Sequence, residues 1–151
     1  MGDDVKDHLI RVPMNVCRDS LEDKIRLNSG WQLLFDYRCA NCTSVGTVRR
    51  KVGITRTSSH LVLQFLVFNN QAEKINSTKL KGVPSSKVIL GGKTYVPTAG
   101  IFHHGDQIHN GHYTCLVKAG IGWKCANDSQ IQKRRWPLGS KDLYMILLTK
   151  T

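Results

Sequence analysis

Two polar clusters in the last third of the chain hold the side chains best suited to chemistry. The first runs Phe102-His103-His104-Gly105-Asp106 and on to Asn110-Gly111-His112-Tyr113-Thr114; the second is Trp123-Lys124-Cys125-Ala126-Asn127-Asp128. A histidine before one strand and an Asn or Asp after the next form a base and its orienting group. The imidazole takes a proton from a nucleophile while the amide or carboxylate fixes its tautomer. Antiparallel strands joined by a turn at 119–122 would bring His112 to within about 2.7–3.2 Å of Asn127 or Asp128. Asn127 and Asp128 are adjacent and point to opposite faces of an extended strand, so either can be the partner. Gly111 lets another backbone approach closely. The same residues also suit a plainer reading, in which four histidines line a solvated turn or a weak metal site.

The elements that must position these residues are mostly strands. Leu9 to Val16 alternates weakly, and Pro13 suggests a sheet edge. Ser20-Leu21-Glu22-Asp23 reads as a helix start, with Ser20 as the cap and acids in the first turn. That helix should run to about Asn28 and stop at Ser29-Gly30. Val45 to Thr55 is strand-like, and Leu61 to Phe68, the most apolar run, reads as a central strand. Val88 to Leu90, the Gly91-Gly92 turn and Lys93 to Val96 suggest a hairpin. Ala99 to His103, His112 to Val117, Gly122 to Cys125 and Tyr144 to Leu148 are further short strands. One helix and many strands make the expected class α+β, mostly β.

Composition narrows the function. The chain has 151 residues, is 40% hydrophobic, and carries 22 Lys+Arg against 11 Asp+Glu, a net charge of +11. That mix excludes a wholly disordered chain, a collagen-like repeat and a coiled coil. The charge is uneven: residues 1–43 are net −1, residues 44–100 net +8 and residues 101–151 net +4. Such a chain attracts polyanions or acidic protein surfaces. Nucleic-acid binding is one reading, but few aromatics interleave with the cations and no recognition helix or zinc-finger pattern accompanies them. No apolar run approaches the roughly 20 residues of a spanning helix, and the acidic start is unlike a signal peptide. The expected location is intracellular, cytoplasmic or nuclear, with no membrane partner. Five cysteines, an odd number, read as reduced thiols. Cys39 and Cys42 form a Cys-x-x-Cys pair, half of a structural zinc site; no other cofactor is expected.

Gly111-His112-Tyr113, preceded by His104-Gly105 and followed by Trp123 and Asn127-Asp128, resembles the histidine box of the ubiquitin-specific proteases, papain-like cysteine deubiquitinases. Ser20-Leu21-Glu22 followed by Tyr37-Arg38-Cys39-Ala40-Asn41-Cys42 resembles that family's fingers region with its second zinc knuckle. Leu61 to Phe68, Lys93-Thr94-Tyr95 to Ile101, and Leu143 to Leu148 resemble its palm strands. The resemblance covers about residues 9–149. It implies a partial ubiquitin-specific protease fold, with residues 1–60 as fingers and 61–151 as palm. It implies His112 as general base, Asn127 as the orienting residue and Asp128 beside it, with ubiquitin or ubiquitinated proteins as partners.

The departures shape the expectation as much. The family's nucleophilic Cys box has no counterpart in this sequence, nor has its first zinc knuckle. Ser58 and Ser59 stand where a Pro is usual, and Val67 precedes Phe68 where the family has Arg. A fragment or a pseudoenzyme follows: a chain carrying the His and Asn of a deubiquitinase but inactive as presented. The alternative is a module that holds ubiquitin without cutting it.

Overall fold

The computed structural model describes residues 9–13, 20–28, 32–38, 45–50, 54, 56–75 and 80–151. Ten strands and one α-helix follow in order: β1 (Leu9–Pro13), α1 (Leu21–Asn28), β2 (Gln32–Arg38), β3 (Val45–Arg50), β4 (His60–Leu66), β5 (Val88–Leu90), β6 (Lys93–Gln107), β7 (Asn110–Ala119), β8 (Gly122–Asn127), β9 (Gln130–Arg134) and β10 (Leu143–Lys150). Two short 3-10 turns lie at Val83–Ser85 and Leu138–Ser140. The architecture is mostly β. One mixed sheet runs β1-β4-β10-β6-β7-β8-β9, with β5 added to β6; β2 and β3 pair separately. Among the described strands β1 and β4 pair in parallel and the other pairs are antiparallel.

The local signals explain these elements. Ser20 Oγ accepts the Asp23 backbone N–H at 3.1 Å, capping α1 above the acids of its first turn. Leu21 and Ile25, one helical turn apart, are buried. Gly91 and Gly92 both have positive φ, 57° and 76°, the pair of left-handed residues that a tight hairpin needs. The apolar run expected to form a central strand pairs on both sides, with β1 and β10, but ends at Leu66. Lys93–Val96 and Ala99–His103, read separately from the sequence, are one strand. Pro97, without an N–H to give, sits at the irregularity where the β6–β10 register shifts.

The core lies on one face of the large sheet. Leu63, Ile146, Gly100, Leu116 and Cys125 are successive cross-strand partners in a row from β4 to β8. All the side chains of that row are buried. At Gly100 a Cβ would come within 2.6 Å of the Trp136 ring. Trp136 therefore lies directly on the strand, edge-on to Phe102 at 5.2 Å and tilted against Trp123 at 4.8 Å. Its indole N–H donates to Ser140 Oγ at 2.9 Å. The adjacent row, Gln64, Met145, Ile101, Cys115, Ala126 and Ile131, faces the other way and is half-buried or exposed.

Candidate functional site

The period of two along each strand carries the buried row into a polar one. From Gly100, two steps along β6 reach His104; from Leu116, two steps back along β7 reach His112; from Cys125, one step along β8 reaches Asn127. These residues share the core face at the end of the sheet where it opens to solvent. His104 and His112 are register partners. The turn between β7 and β8 is closed by the Ala119–Gly122 pair, with Gly120 at φ 61°. It sets the register that brings β8 alongside His112.

His112 Nε2 lies 2.6 Å from Asn127 Oδ1. An amide oxygen only accepts, so Nε2 carries the proton and the neutral ring keeps its lone pair on Nδ1. The arrangement leaves a base nitrogen available beside a fixed tautomer. Asp128, next in sequence, occupies the β8–β9 turn with φ 52°, is exposed, and makes no hydrogen bond or ion pair among the described residues. His112 and Asn127 are brought together; Asp128 is not.

Beside this pair stands a second network that the sequence did not reveal. The His104 ring lies nearly parallel to that of His112, centroids 6.4 Å apart. His104 Nδ1 donates to Asp142 Oδ2 at 3.2 Å, and Nε2 meets Thr114 Oγ1 at 2.8 Å. Lys74 donates to Asp142 Oδ1 at 3.0 Å and also to the backbone carbonyl of His103. Burial opposes the charged form of Asp142, but the Lys74 hydrogen bond and charge, with His104 behind them, outweigh it and hold the carboxyl below its ordinary value. Lys74 and Asp142 lie 68 positions apart, and no local pattern couples them. The available signal was the adjacency of His104 to the histidine box.

His103 points the opposite way and is buried, edge-on to Phe68 and Tyr113. Neither ring nitrogen has a hydrogen-bond partner among the described residues. Burial, then the Lys74 charge, push its pKa below the usual histidine value. A Cβ at Gly111, φ 148°, would stand 2.6 Å from His103 Nε2 and closer still to the His104 carbonyl, so only glycine fits between them. Of the two described cysteines, Cys125 is buried and Cys115 half-buried. Burial, with Cys125 beside it, raises the Cys115 thiol, the reverse of an activated nucleophile. Cys39 and Cys42 lie outside the described residues. Among the described residues no three His, Cys, Asp or Glu side chains gather to hold a metal, and no helix is long and apolar enough to cross a membrane.

No family profile matches the chain, and no curated protein matches it in sequence. Solved structures do. The chain is similar to the yeast SAGA DUB module, Ubp8 with Sgf11, Sus1 and Sgf73, bound to monoubiquitin: TM-score 0.68, 22% identity, covering 94% of this chain and 35% of that one. The same module carrying an Sgf73 mutant gives 0.69 and 20%, and the ubiquitin aldehyde complex 0.65 and 21%, with the same coverages. The fold is ubiquitin-specific-protease-like. The chain spans about a third of the length of these deubiquitinase chains, and at this identity the likeness is one of fold.

Proposed function

We propose that the chain supplies the histidine–asparagine half of a cysteine-type deubiquitinating site, with ubiquitin as the partner it recognises. The observation that carries this reading is the 2.6 Å contact from His112 Nε2 to Asn127 Oδ1. It occurs in a fold similar to that of ubiquitin-bound DUB modules. With Nε2–H held by Asn127, Nδ1 is the atom that takes a proton from a thiol. The thiolate then attacks the carbonyl of ubiquitin's C-terminal glycine, the C–N bond after it breaks as a thioester forms, and the imidazolium returns the proton to the leaving amine. Water would release the acyl-thioester in the same manner. The sequence offers no counterpart of the family's nucleophile box, and on this reading the chain by itself holds ubiquitin and does not cleave it. Asp128 has no side-chain partner among the described residues, and these steps do not need it. On this reading residues 61–151 act as the palm, and the separate β2–β3 pair supports residues 1–60 as fingers. A structural zinc at Cys39 and Cys42 belongs to the same proposal.

The test is an NMR titration of the chain with ubiquitin. Intact ubiquitin should shift the His112 and Asn127 resonances, and ubiquitin lacking its C-terminal Gly-Gly should leave them unmoved. Absence of binding, or identical shifts from both forms, would count against the reading. Covalent capture of any of the five cysteines by a thiol-reactive ubiquitin probe would overturn the assignment as non-cleaving.

A further inference from the structure

Charge that the His112–Asn127 pair does not use gathers at the far end of the β8–β9 hairpin. Residues 118–141 contain Lys118, Lys124, Lys133, Arg134, Arg135 and Lys141 against one acid, Asp128. Asp128 sits in the turn beside Asn127, so the acid marks one end of the hairpin and the cations the other. Lys124 and Lys133 are direct cross-strand partners, as are Trp123 and Arg134. Like charges placed opposite one another cost stability. Among the described residues no carboxylate pairs with either lysine or with Arg134 or Arg135.

β9 is also the last strand of the sheet, and all five of its residues are exposed. Alternate backbone N–H and C=O groups point away from β8, and no strand takes them among the described residues. A groove of about 350 Å³ opens at this end, lined by Ile121, Trp123, Lys124, Lys133, Arg134 and Arg135 among others. Ile121, at its rim, is fully exposed. One lysine is enough to guard an edge strand against stray pairing. Four cations lining one groove, two of them repelling each other, go beyond a guard.

We propose that the β9 edge and this groove dock an extended acidic peptide. The peptide adds to the sheet as a further strand, its alternate carboxylates on the face that carries Lys124 and Lys133, with Arg134 and Arg135 adding positive charge at the end of the edge. Strand addition supplies main-chain hydrogen bonds, and the flanking side chains select the sequence. Nucleic acid fits the observations less well. Its phosphates would match the cations but leave the backbone edge unpaired. The aromatic ring of the groove, Trp123, is committed to Trp136 at 4.8 Å and is not a free stacking platform. Gln130 pairs with Asn127, so the docked strand would run from the groove to the side of the His112–Asn127 pair. The inference does not depend on the function proposed for that pair.

The experiment measures fluorescence anisotropy of the full chain with a short fluorescein-labelled peptide of alternating Glu and Val at low salt. It is compared with the same peptide N-methylated at every second backbone nitrogen and with a single-stranded oligonucleotide of equal charge. The unmodified peptide should bind, and N-methylation should weaken it by at least roughly tenfold, because it removes strand hydrogen bonds and leaves the charge intact. Lys133→Glu should abolish binding while raising the melting temperature, since it turns a repulsive cross-strand pair into an attractive one. Equal binding of the methylated peptide, tighter binding of the oligonucleotide, or no peptide binding at all would each overturn the proposal.

Discussion

His104 and His112 face one another across β6 and β7, centroids 6.4 Å apart and planes inclined by 28°. Each ring is held from its outer side by a different group, His104 by Asp142 and His112 by Asn127. The carboxylate that orients the first ring is itself tied to Lys74, whose side chain is 6% exposed. The two imidazoles therefore sit at the end of a chain of fixed contacts that begins in the loop after β4.

Asp142→Asn breaks that chain at its centre. It removes the carboxylate charge that faces a nearly buried ammonium, and the loss should be on the order of 3 kcal/mol at neutral pH. The folded Asp142 carboxyl lies below its ordinary value, so its contribution is present above the unfolded pKa and is lost as pH falls through the folded one. Chemical denaturation should show the wild-type protein losing stability on acidification below about pH 4, with Asp142→Asn showing a shallower acid limb.

His103 gives a pH dependence at higher pH. Its folded pKa lies below the ordinary value, from burial first and the Lys74 charge second. Protonation is easier in the unfolded chain, so this residue's neutral form supports the fold above about pH 6.5, and stability falls as pH drops below it. His103→Leu has similar volume and no unpartnered nitrogens to bury. Thermal melts at pH 7 and pH 5 should differ less for the variant than for the wild-type protein.

Asn127→Leu tests the tautomer lock. In the wild-type protein the His112 Nε2 proton should be visible by NMR as a slowly exchanging imidazole resonance. In the variant it should broaden into solvent exchange while the β7–β8 amides keep their shifts. An unchanged Nε2 signal would show that something other than Asn127 holds the ring.

Gly100→Ala tests the seat of Trp136. The added methyl would fall 2.6 Å from Trp136 Cη2, so the indole must lift away from Phe102 and Trp123. A cost of about 1–3 kcal/mol is expected, as for overpacking elsewhere. Tryptophan emission should shift to the red as the ring gains water. An unshifted spectrum with wild-type stability would mean that the loop carrying Trp136 moves without resistance.

The sequence by itself determined what short-range chemistry can specify. The Ser20 cap, the Gly91-Gly92 hairpin, the apolar run at Leu61 and the tight turn between Ala119 and Gly122 act over a few residues, and the chain folds accordingly at each. One hairpin was enough to bring His112 to the Asn127-Asp128 pair, while the choice of Asn127 rested on the resemblance to the histidine box. Tertiary structure decided what depends on distant partners. Lys74 reaches Asp142 across 68 positions, and nothing near either residue announces it. Lys93–Val96 and Ala99–His103 read as separate strands, and Pro97 between them is accommodated where β10 shifts register. β9 has no apolar alternation to mark it; its pairing follows from a turn that holds Asp128 in the left-handed region and from the ladder that β8 offers. Local propensity acts through neighbours in the chain. Burial and charge act through neighbours in space, and only the folded sheet names those.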